Sequence, residues 1–137
     1  MPSLDYMARK VTWKLGGTLP RDHSELIDYI IRNYQNLGIP PATQIWREKH
    51  IMKRGFDIEP DIVFFHKKGL VTLVEATLRI YLEKREGKIQ QLSVYKLYVE
   101  ESGNICHPLL AYLSKGKLIV ETPYEFTLEK LAEARVS

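Results

Sequence analysis

A mixed α/β or α+β fold, with about four to five strands flanked by helices, is predicted by three observations. Apolar residues recur at helical spacing over residues 23–37 and 83–101. Runs at 42–52, 61–65, 70–78, 107–113 and 117–121 alternate or are rich in β-branched and aromatic residues, as strands are. A chain of 137 residues that is 45% hydrophobic is long enough for one domain and can bury one core. The expected organisation is a single domain over 1–137, with a basic extension at 1–21, a core at 22–122 and a C-terminal helical segment at 123–137.

The extension carries Arg9, Lys10, Lys14 and Arg21. Residues 4–10 allow a turn or two of helix and 11–15 alternate as a short strand, before Gly16, Gly17 and Pro20 break regular structure. It reads either as a solvated arm or as a contact for nucleic acid or a dimer partner. The first helix starts at the N-cap Asp22, and Glu25 completes a capping box. Leu26, Ile27, Ile30, Ile31, Tyr34 and Leu37 share one face, and Gly38 with Pro40 and Pro41 ends it.

Residues 42–52 alternate without a cleanly apolar face, which predicts an edge strand. Lys49, His50, Lys53 and Arg54 form the densest basic cluster, beside Trp46. They read as a solvated face or as phosphate contacts whose strength would fall with salt. Next, 61–65 and 70–78 are joined by Lys67-Lys68-Gly69 as an antiparallel hairpin. Asp61 and Glu75 are equally far from Lys68, so both fall at the open end of that hairpin. An ionised carboxylate in an apolar strand is costly unless paired. A hard divalent cation, which prefers oxygen ligands, is one such partner.

The second helix, closing at Gly103, has a core face of Ile89, Leu92 and Val99. Lys84, Lys88, Gln91 and Tyr95 line another stripe of it. Residues 107–113 and 117–121 form a second hairpin through Lys115-Gly116, with Leu109, Leu110 and Leu113 buried. Thr127 is placed to cap a short helix at 128–134.

Several chemistries are disfavoured. The single cysteine, Cys106, excludes an internal disulfide framework and a cysteine-rich zinc site. His23, His50, His66 and His107 lack metal-ligand spacing, and no glycine-rich phosphate loop is present. No apolar run has membrane-spanning length and no signal-like segment opens the chain. A soluble cytoplasmic protein without a membrane partner is the expectation. A net charge of +3 permits nucleic-acid binding without requiring it. Sparse Asn and Gln beside plentiful Lys, Arg, Glu, Ile and Tyr lean toward a thermophile.

Pro60-Asp61, followed after residues 62–74 by Glu75-Ala76-Thr77, resembles the core motif of the PD-(D/E)XK nucleases, which include restriction enzymes and archaeal Holliday-junction resolvases. By order of elements the likeness spans about 22–122; by identity it covers only these few positions. The resemblance implies a restriction endonuclease-like core and DNA as substrate, with RNA as the other candidate. It also implies Mg2+ or Mn2+ held by Asp61, Glu75 and the carbonyl of Ala76, and a homodimer. Thr77 stands where the family has its lysine, and Glu-Ala-Thr-Leu is similar to some restriction-enzyme branches. Thr77 can orient a water but carries no charge, so Lys88, Lys84 or Arg79 is the expected substitute. In related nucleases a first-helix glutamate, here Glu25, points to the metal, although the capping box already accounts for it. Gln91 and Tyr95 match positions near the metal in several branches. Two functions follow: a metal-dependent DNA endonuclease, resolvase-like or restriction-like, or an inactive nuclease-fold module for nucleic-acid binding or assembly.

Overall fold

The strand pattern is decided by how many faces each segment can bury. In the computed structural model, residues 10–53 and 56–126 are described, with side chains outside 51–57. The elements run β1 (Lys10–Lys14), α1 (His23–Asn33), β2 (Gln44–Arg47), β3 (Ile51–Lys53), β4 (Phe56–Ile58), β5 (Ile62–Phe65), β6 (Leu70–Thr77), α2 (Leu82–Glu101), β7 (Ile105–Ser114) and β8 (Lys117–Glu121). The fold is α+β, with a six-stranded sheet in the order β1-β8-β7-β6-β5-β2 and a separate β3-β4 pair. Among the described residues only β6 and β7 pair in parallel, and α2 makes the crossover between them.

Six strands exceed the expected four to five. The segment at 11–15 joins the sheet as β1, against β8. The single strand expected at 42–52 is two. Glu48 takes a left-handed φ of 46° and donates its N–H to the Asp61 carbonyl at 2.9 Å. This kink ends β2 against β5 and sends β3 to pair with β4. Alternation runs unbroken across the kink, so period alone could not find it.

Central β6 is buried on both faces from Val71 to Thr77, which is why it reads as a nearly continuous apolar run. On one face Leu26, Ile27 and Ile30 of α1 pack over Ile62, Phe64, Val74 and Ala76. On the other, Leu92 and Tyr95 of α2 pack over Val63, Val71, Leu73 and Leu110, with Cys106 inside the same cluster. Burying each such large side chain contributes roughly 1.5–3 kcal/mol. Helix α1 begins as expected, with the Asp22 carboxylate accepting the Glu25 N–H at 2.9 Å. It ends at Asn33 rather than 37: Leu37 closes a tighter turn onto the Asn33 and Tyr34 carbonyls. Gly38 follows at φ 89°.

The helical segments expected at 4–10 and 128–134 lie outside the described residues. Among the described residues no helix is long and apolar enough to cross a membrane.

Candidate functional site

Pairing of Ile62 with Val74 sets Asp61 directly opposite Glu75, one step further out along β5 and β6. The Asp61 carbonyl is turned the other way, onto Glu48 of the β2 side. Asp61 and Glu75 are therefore a non-hydrogen-bonded pair across β5 and β6, the kind that brings side chains closest. Both point to the face covered by α2, as alternation from Val63 and Leu73 requires. Asp61 is 8% exposed and Glu75 only 2%.

Each carboxylate has a distinct set of partners. Asp61 Oδ2 accepts the Ala76 N–H at 2.7 Å and lies 3.3 Å from His23 Nε2. Glu75 Oε2 accepts from Lys88 Nζ at 3.2 Å. Glu75 Oε1 is buried with no hydrogen-bond partner. Burial pushes the Glu75 carboxyl up to about 8, and the adjacent Asp61 pushes in the same direction; Lys88 opposes both. The raised value has two origins, burial of the carboxyl first and the facing Asp61 carboxyl second. The Tyr95 phenol, also buried, is pushed up to about 12 by burial and then by Glu75, against a hydrogen bond to the Glu59 backbone.

Lys88 reaches Glu75, and Tyr95 lies buried two turns further along α2. Gln91, between them, is exposed. Lys84 points its ammonium to the Tyr81 ring, 6.0 Å from its centroid. Thr77 is buried, and its hydroxyl donates to the Arg79 carbonyl at 2.9 Å. Glu25 is held by Arg21, through the Arg21 N–H at 2.7 Å and the guanidinium at 2.8 Å. The basic cluster is dispersed: Lys49 caps the Trp46 ring at 4.0 Å and His50 Nε2 lies 3.1 Å from Glu59. Arg54 and the side chain of Lys53 lie outside the described residues.

His23 was not singled out from the sequence as a partner of Asp61. Its signal there is only its place beside the Asp22 cap. The contact exists because the N-terminus of α1 passes over the open end of β5.

No family model, curated protein or solved structure matches this chain. The site is read from its own residues. Among the described residues no three His, Cys, Asp or Glu side chains gather into a metal cage. What remains for a cation is a pair of carboxylates with a backbone edge. The oxygen-only donor set and the unpartnered Glu75 Oε1 fit a hard divalent ion.

Proposed function

We propose that the chain is a metal-dependent nuclease that hydrolyses phosphodiesters in DNA, in the manner of a resolvase or restriction enzyme. The observation that carries this reading is Lys88, whose ammonium lies 3.2 Å from Glu75 although Thr77 occupies the motif position. Asp61 and Glu75 would hold Mg2+ or Mn2+. The Ala76 carbonyl would join them, since its N–H already faces Asp61 and both groups of a strand residue point to one edge. The ion, when bound, would polarise phosphate and lower the pKa of water.

The protein groups divide the remaining work. Lys88 brings a positive charge to the place where phosphoryl oxygens gain negative charge. His23, beside Asp61 at the more open end, can carry a proton to the departing oxygen. Tyr95, buried on α2, walls the inner side. A homodimer belongs to this reading because a duplex offers two strands; Val94 and Leu97, exposed on α2, offer a surface for it.

The test is cleavage of plasmid and oligonucleotide DNA with magnesium or manganese, with binding measured separately in calcium. Wild type should cut, and Glu75→Gln should bind without cutting. Salt-sensitive binding without cutting by wild type would sink the enzymatic reading. It would favour the inactive module, which the commitment of the Thr77 hydroxyl to Arg79 supports.

A further inference from the structure

A second feature lies beside the carboxylates on the same face of the sheet. A cavity of about 150 Å³ opens between the C-terminal half of α2 and the strands. Its walls include Trp46 and Phe65, which meet edge to face at 4.6 Å, and Tyr98 and Val99 opposite them on α2. These four are half-buried and Ser102 is exposed, so the chamber has a mouth. Ser102 and Asn104 bring its polar atoms apart from the tyrosines.

Three observations say what would enter. An apolar cavity of roughly this volume accommodates a six-membered ring. The Lys49 ammonium stands over Trp46 at the rim, 4.0 Å from the ring, where it favours an anionic group outside the chamber. The cavity also adjoins the carboxylate site, because Tyr95 lines it and Pro60, also in the lining, precedes Asp61. A flat ring tethered to a phosphate backbone meets all three conditions.

We propose that this cavity receives one unpaired base of a strand whose phosphate lies at Asp61 and Glu75, so that a duplex with a frayed, mismatched or single-stranded site is preferred over a fully paired one. The inference rests on the nuclease reading for its substrate class. A paired base would first have to leave its stack, which costs energy that an unpaired base does not pay. Stacking on aromatic walls then holds the base without demanding one sequence.

The experiment compares binding, in calcium, of an oligothymidylate with a strand of equal length built wholly of abasic units. The two carry the same phosphates, so their difference reports the base alone. Wild type should prefer the oligothymidylate about tenfold or more. Trp46→Ala removes a wall and should abolish the preference. Ser102→Trp fills the mouth from an exposed position, so it tests the same point without disturbing the core. Glu75→Gln should keep the preference while losing cleavage. Equal affinity of wild type for the two strands, or a preference that survives Ser102→Trp, overturns the base pocket even if DNA is cut. A preference that Ser102→Trp abolishes, without cleavage by wild type, supports the base pocket and overturns the hydrolytic reading.

Discussion

Glu75 concentrates the chemistry of this protein, because one buried carboxyl must balance Asp61 against Lys88. Its folded-state pKa of about 8 lies above its ordinary 4.5. The folded chain therefore keeps a proton that the unfolded chain releases. The stability this confers is complete below about pH 4.5 and is lost as pH rises to about 8, by an amount on the order of a few kcal/mol. His107 has the opposite sign. Burial, and then His66, lowers it from 6.5 to about 4, so its contribution is complete above about 6.5 and fades as pH falls toward 4. In metal-free denaturant titrations the two slopes should oppose each other between about pH 4.5 and 6.5. Glu75→Gln should remove the alkaline decline, and His107→Gln should flatten the acid limb. Lys88→Met should reduce cleavage about 10²–10³-fold with binding in calcium retained, measured by single-turnover assays. An unchanged rate would remove Lys88 from the mechanism. The partnership of Asp61 with Glu75 was visible in the sequence from their equal distance to the turn. Lys84 and Lys88 share one stripe of α2, so the sequence did not separate them; Lys88 lies one turn further along, at Glu75, while Lys84 turns to Tyr81.

The β7–β8 hairpin shows a local conflict at the scale of the element. Lys115 and Gly116 both take positive φ, 51° and 74°. Such a two-residue turn suits Asn or Gly at its first position, and a long side chain is strained there. Lys115→Asn should raise stability by about 0.5–1 kcal/mol, read in urea, and leave DNA binding unaltered. Turns of this kind were legible because glycine marks them. The break at Glu48 was not, since neither glycine nor proline stands there. That kink lets Glu48 bond the Asp61 carbonyl. A turn imposed by long-range pairing leaves no local trace. The α1 boundary was misplaced for a milder reason: Leu37 keeps its core position in the tight turn after the helix, so the apolar period persists beyond the last regular residue.

Across the whole molecule, stability and function meet at the open end of β5 and β6. Magnesium bound there would favour the folded state, raising stability by about 2.7 kcal/mol at one hundred times its dissociation constant. Thermal unfolding should show this shift in wild type and not in Glu75→Gln; a shift of equal size in both would place the ion elsewhere. The two helices cover opposite faces of one sheet, so the site can draw His23 from one layer and Lys88 and Tyr95 from the other.

The sequence by itself determined the mixed character of the fold, the two long helices, both hairpins and the pairing of the two acids. These depend on periodicity, capping and turn residues, which act over a few positions. Tertiary structure alone decided the edge partnership of β1 with β8, the separate β3–β4 pair, the approach of His23 to Asp61 and the aromatic chamber behind Tyr95. Each requires segments distant in the chain to meet, and such meetings are chosen by the packing of the whole core.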